Sequence, residues 1–169
     1  DLDKVAVAVA ATGYANAGQV CISTQRVLTA GKVYGDFLDA LGPRVAALTT
    51  GNQLDEKTKV GPMVREKDAI RVEEWVKEAV ATGARVVVGG QRRGAIYAPT
   101  VVADVKPEMR ISCDELFGPA VAVTPFNNIE EAIALANDTI YGLSAGIFTE
   151  SLEWAMKFAR EVHSGNLHI

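Results

Sequence analysis

The chain has 169 residues, 49% hydrophobic and 22% charged, a length and balance that suit one globular domain and exclude a disordered tail or a low-complexity array. Seventeen Lys and Arg against twenty-one Asp and Glu give a net charge of −4, so no basic field is available to hold phosphate backbones, and nucleic acid is not an expected partner. No run reaches the roughly 18 apolar residues of a membrane span, and DLDKVAVAVAA puts acids where a signal peptide carries bases, so no membrane partner is expected.

In chain order, residues 2–17, LDKVAVAVAATGYANA, have the Ala/Val composition of a buried helix, although their valines alternate as in a strand; a helix is expected. RVLTA at 26–30 is apolar and β-branched, as an interior strand should be. Tyr34, Phe37, Leu38, Leu41, Val45 and Leu48 recur at helical spacing, and Pro43 within that run predicts a kink or a division. Residues 50–63 are rich in turn formers and charge and read as a surface loop. Ala69, Val72, Val76, Ala79 and Val80 mark another helix, which Gly83 is placed to end. RVVVGG at 85–90 reads as a strand closed by glycines, and YAPTVVADV and AVAVTPF as further strands. Asn128 with Glu131 makes a capping-box-like start to IEEAIALAN. Ser151 can cap SLEWAMKFAREV, in which Leu152, Ala155, Ala159 and Val162 share a face, with the apolar runs SAGIF and NLHI on either side. Strands alternating with helices over the whole length predict an α/β fold, a three-layer αβα arrangement with a mainly parallel sheet, in a single domain spanning 1–169. The lack of Met at position 1 and the strand-like ending lead us to expect a piece excised from a longer chain.

Two cysteines are too few for a disulfide framework, which predicts a soluble protein of a reducing, cytoplasmic compartment. A thiol is the strongest side-chain nucleophile near neutral pH. Cys21 is the better placed, at a helix–strand junction where Gly18 permits close backbone approach and backbone N–H groups can point at a developing oxyanion. Position alone favours the bland alternative, a buried structural thiol. Cys113 precedes two carboxylates, which would raise its pKa, and reads as structural. Asp114 and Glu115 are adjacent in an extended segment, so they point to opposite faces and do not form an acid/base pair; one of them can bond a ribose hydroxyl, against the alternative of solvated surface charge. His163 and His168 have no ligand-spaced partners, so no metal site is expected, and neither a G-x-G-x-x-G nor a P-loop occurs. Trp75 and Trp154 sit in or beside apolar helix faces and read as packing residues, and no Ser-His-Asp arrangement has positional support.

Residues 16–27, NAGQVCISTQRV, resemble the nucleophile motif of the aldehyde dehydrogenase superfamily, G-Q-x-C followed by an Arg, with Gly18, Gln19, Cys21 and Arg26 at the matching positions. DELFGP at 114–119 and NDTIYGLSAGIFT at 137–149 resemble two further motifs of that family, in the same order, and the likeness extends over the whole chain. Ser23 stands where many members carry Ala, Gly or Asn, a small departure. The resemblance implies Cys21 as the nucleophile, Glu115 as a ligand of the nicotinamide ribose, Phe117 packing near the nicotinamide ring, and Val20 and Ile22 lining the substrate tunnel. It implies NAD or NADP as cofactor, held mainly by a domain that this chain lacks, with the family's oxyanion Asn and general-base Glu also preceding these residues. An aldehyde is then the substrate, the full-length enzyme a homo-oligomer, and the piece alone inactive. A CoA-acylating dehydrogenase and a non-catalytic remnant of the fold stay as alternatives.

Overall fold

The computed structural model describes residues 1–169, and its first helix, α1 (Leu2–Tyr14), is capped by Asp1, whose carboxylate accepts from the Lys4 amide at 3.3 Å. Its buried positions are Ala6, Val9, Gly13 and Tyr14, spaced for one helical face, whereas Val7 is 52% exposed. The Val alternation is therefore incidental, because Ala-rich sequence favours helix and only one stripe needs burial. Strand β1 (Arg26–Ala30) and helix α2 (Tyr34–Ala46) follow. Of the kink or division expected at Pro43, the division does not occur: α2 runs through it as one helix. The proline removes only the bond to the Asp39 carbonyl, which belongs to an exposed residue, and the helix ends within one further turn.

A loop pinned by a Thr50–Val60 bridge buries Val60 and Met63 and leads to α3 (Glu66–Ala81), whose buried residues are Ala69, Val72, Val76 and Ala79. Gly83, at φ +113°, turns the chain into β2 (Arg85–Val88). A small hairpin of β3 (Arg92–Arg93) and β4 (Ile96–Tyr97) precedes β5 (Thr100–Ala103) and the one-turn α4 (Arg110–Cys113). Then come β6 (Ala120–Phe126), α5 (Ile129–Asn137), β7 (Ser144–Gly146), α6 (Leu152–Glu161) and β8 (Asn166–His168). Asn128 and Ser151 cap α5 and α6 by accepting from the Glu131 and Trp154 amides. The inward face of α6 differs from the expected one: Ala155, Phe158 and Val162 are buried, whereas Leu152 is 76% exposed and Ala159 is exposed too. Leu152 sits at the first helical position, and the larger Phe158 takes the inward position.

The main sheet has the order β1-β6-β5-β2. β6 runs parallel to both β1 and β5, with Arg26 opposite Ala122 and Val101 opposite Val121, while β2 joins antiparallel through a bulge at Val86–Val88. Every residue of β5 is buried, as is every residue of β6 but Pro125, so helices cover both faces of the sheet in the expected αβα manner. The largest apolar cluster joins α1, α2 and α3 to β5 and β6, and a smaller one, around Phe126, Ile133 and Phe158, lies under α5 and α6. β7 and β8 form a separate parallel pair. No helix is long and apolar enough to cross a membrane.

Candidate active site

Beyond α1 the backbone turns sharply, with Asn16, Ala17 and Gly18 all left-handed at φ +51°, +56° and +69°. Asn tolerates that region and Gly prefers it, whereas the buried Ala17 is held there at a cost of about 1 kcal/mol. Gln19 locks the turn: its Nε2 donates to the Asn16 carbonyl at 3.1 Å, and its Oε1 accepts from the Val64 amide at 3.0 Å. A second turn follows, closed by the Ser23 amide donating to the Val20 carbonyl at 2.9 Å. Cys21 and Ile22 occupy its tip and are exposed, Ile22 to 61%. The Ser23 hydroxyl lies 3.1 Å from the Thr12 carbonyl and 3.2 Å from that of Gly13, so its one proton is shared between two carbonyls at the end of α1 that have no helical partner. The departure at Ser23 thus ties the Cys21 turn to the helix before it.

The glycine at 18 has a second reason. A Cβ there would lie 2.1 Å from the Gly118 oxygen and 2.4 Å from its carbon, so the Cys21 segment rests directly on the backbone of the 114–118 loop. That loop is anchored at Leu116, which is fully buried. Its amide donates to Gln25 Oε1 at 2.8 Å, and its carbonyl accepts from Arg71 at 2.7 Å. With Leu116 turned inward, Glu115 is exposed and Phe117, left-handed at φ +48°, is 40% exposed. The Glu115 amide donates to the Tyr141 hydroxyl at 3.3 Å, which brings the third motif to the same place. In that motif Asn137 joins α5 to the end of α6, donating to the Glu161 carbonyl and accepting from the His163 amide, each at 2.8 Å.

These segments border one open cleft of about 800 Å³, and Val20, Cys21, Ile22, Glu115 and Phe117 all line it. The five sequence-derived site residues therefore border the same open cleft, although they come from positions nearly a hundred residues apart. β1 and β7 contribute further wall, and Arg26, the remaining residue of the first motif, reaches from β1 to donate to the Leu135 carbonyl in the last turn of α5. Burial holds its guanidinium below its ordinary pKa, with the Asp138 charge opposing. Cys113 is half-buried, with its thiol 3.8 Å from the Glu108 carbonyl. No three His, Cys, Asp or Glu side chains come close enough to hold a metal ion. An exposed carboxylate offers acceptors to vicinal hydroxyls, and an exposed ring two positions on offers a flat apolar face, so Glu115 and Phe117 fit the nicotinamide riboside end of a dinucleotide. The roles of Gln25 and Arg71 had no signal in the sequence, because each acts on backbone atoms far along the chain.

The model of the aldehyde dehydrogenase family matches residues 1–169. The 3-sulfolactaldehyde dehydrogenase of Priestia aryabhattai is 47% identical over 167 residues, covering 99% of this chain and 35% of that protein. Among solved structures, the NAD-dependent aldehyde dehydrogenase of Sinorhizobium meliloti superposes with a TM-score of 0.95 at 38% identity, over 100% of this chain and 34% of that one. Betaine aldehyde dehydrogenase of Staphylococcus aureus, solved in complex with NAD+, superposes with a TM-score of 0.94 at 34% identity, over 100% of this chain and 35% of that one. The chain thus spans about a third of the length of the relatives it matches.

Proposed function

The chain belongs to the aldehyde dehydrogenase family, and on that premise we propose that residues 1–169 are the nucleophile-bearing catalytic domain of a longer, cytoplasmic, homo-oligomeric enzyme that oxidises an aldehyde to a carboxylic acid. The observation that carries this reading is the meeting of Cys21, Glu115 and Phe117 at one cleft. A core-only constraint has no reason to gather an exposed thiol, an exposed carboxylate and a half-exposed ring there.

The Cys21 thiolate attacks the aldehyde carbon, a carbon–sulfur bond forms, and the carbonyl electron pair moves onto oxygen to give a thiohemiacetal oxyanion. The Cys21 backbone N–H, at the tip of its turn, holds that oxyanion in part. Glu115 would hold the ribose hydroxyls and Phe117 the nicotinamide ring of NAD or NADP, which would supply a hydride acceptor beside this carbon. Loss of hydride leaves a thioester on Cys21. Water then adds to the thioester carbon, the carbon–sulfur bond breaks, and the Cys21 thiolate departs with release of the carboxylic acid. Val20 and Ile22 flank the thiol with apolar surface, which suits an uncharged aldehyde tail. The base that activates the water, a second oxyanion donor and most of the dinucleotide site lie outside these residues in this reading, so the chain by itself is inactive.

The test is formation of NADH by the full-length protein with a short aliphatic and an aromatic aldehyde, comparing wild type with Cys21→Ala. Turnover abolished by the substitution supports the reading. Turnover that needs CoA would replace water by a thiol as acyl acceptor, silence under both conditions would make the domain a remnant, and NADH formation by residues 1–169 alone would refute their dependence on the rest.

A further inference from the structure

Resting on the dehydrogenase reading, we propose that Gln25 is a positioning residue whose side-chain amide sets the Glu115–Phe117 loop relative to the Cys21 turn, and thereby sets how the dinucleotide is presented to the substrate carbon. Gln25 follows Cys21 by four residues and immediately precedes β1. Its own carbonyl accepts from the Ala122 amide at 2.7 Å, which fastens its backbone to the central strand. From that fixed point the side chain makes three bonds to the 111–116 segment. Nε2 donates to the Ile111 carbonyl at 3.0 Å and to the Asp114 carbonyl at 2.7 Å, and Oε1 accepts from the Leu116 amide at 2.8 Å.

Each of the two amide protons is used, and the oxygen is used as well, so the carboxamide is matched to this loop. Glu could accept from Leu116 but would set a negative charge against two carbonyls, and Asn is one methylene too short. Arg71 and Tyr141 also hold the loop, at the Leu116 carbonyl and the Glu115 amide, but they tie it to α3 and to the segment before β7. Gln25 is the side chain that ties it to the stretch bearing the nucleophile. Hydride transfer depends on reacting atoms held a few ångströms apart, so a tether between the two half-sites acts on the geometry of the step without touching a reactant.

The experiment uses the full-length protein with Gln25→Met, which keeps the volume and removes all three bonds, and Gln25→Glu, which keeps only the acceptor. Hydrogen exchange reads the tether: the Leu116 amide should exchange about tenfold faster in Gln25→Met, the equivalent of one or two hydrogen bonds lost, and less than that in Gln25→Glu, which keeps its acceptor. Kinetics reads the consequence: KM for NAD should rise about tenfold, and a deuterated aldehyde should show a larger isotope effect on kcat. KM for the aldehyde and the alkylation rate of Cys21 should stay within about twofold of wild type, because the Cys21 turn keeps its own bonds to Gln19 and Ser23. Unchanged exchange at Leu116 in Gln25→Met would overturn the proposal. So would faster exchange with a lowered Tm but an unaltered KM for NAD, the signature of a purely structural side chain. A wild-type protein silent with and without CoA would instead strike the dehydrogenase reading, while NAD titration of intrinsic fluorescence in the same three proteins would still uphold or refute the role of Gln25.

Discussion

Replacing Gly18 by Ala tests the contact that joins the two halves of the candidate site. At φ +69° an alanine is held in the left-handed region, which costs about 1 kcal/mol. Its methyl would also begin 2.1 Å from the Gly118 oxygen, and reaching the 3.0 Å floor of real Cβ contacts requires a shift of 0.9 Å between two backbone segments. Overpacking of that kind costs about 1–3 kcal/mol, so the total is roughly 2–4 kcal/mol. For a chain of this size each kcal/mol lowers Tm by about 2–4 °C, which places the loss near 10 °C in thermal melts followed by circular dichroism. Gly94→Ala is the internal control, since its φ of +60° carries the same left-handed strain but no atom lies within 4 Å of the added methyl. That variant should lose only about 2–4 °C per kcal/mol of strain. In the full-length enzyme, a displacement near 1 Å between Cys21 and the 114–118 loop should lower kcat/KM by about a hundredfold for Gly18→Ala and leave Gly94→Ala close to wild type. Melting temperatures of the two variants within about 2 °C of each other would refute the packing of the Cys21 segment on Gly118.

Tyr14→Phe removes a buried hydroxyl that donates to the Thr100 carbonyl at 2.8 Å and should cost about 1–1.5 kcal/mol, read as a lower midpoint with an unchanged slope in urea unfolding. An unaltered midpoint would mean that this bond contributes nothing. Burial pushes the hydroxyls of Tyr34 and Tyr97 up to about 12, and that of Tyr14 upward too. Because these folded values lie above the unfolded value near 10, the associated stability is intact below about pH 10 and is lost as pH rises towards about 12. Of the four tyrosines, ionisation of these three, followed by absorbance at 295 nm, should therefore coincide with loss of helical signal, and ionisation of more than one tyrosine near pH 10 with the fold intact would contradict the burial. Cys21 is exposed and Cys113 half-buried, so iodoacetamide should label Cys21 first; peptide mapping that gave equal or reversed rates would argue against the exposed turn.

Local signals were read from the sequence with most success where a single physical requirement dominates. RVLTA is strand β1 to the residue because an apolar, β-branched run between polar turns has few other uses. The caps at Asn128 and Ser151 follow from side chains that can reach back to free amides. Pro43, Leu152 and Ala159 misled, because what decides them is how far along the helix the proline falls and which part of α6 meets the body of the protein. Cys21, Glu115 and Phe117 were named through motif resemblance, and the fold brings them to one cleft. The supports beneath them were illegible. Gln25 reaches Leu116 across 91 residues and Arg71 reaches it across 45, and no periodicity or propensity records a bond to a backbone atom so distant. The left-handed run at Asn16–Gly18 was equally hidden, since Ala17 carries no mark of the conformation it adopts.

Leu116 separates durability from chemistry within three consecutive positions. The middle side chain is sealed inside, where truncation to Ala would cost about 2–5 kcal/mol, while its neighbours stand in solvent, where most substitutions change stability by less than about 0.5 kcal/mol. Substitutions at residues 115 and 117 therefore put folding at little risk, and under the proposed function their effect falls on the grip on the dinucleotide. The pin stays constant while the two prongs are exchanged, which makes this loop a cheap place for new specificity to arise.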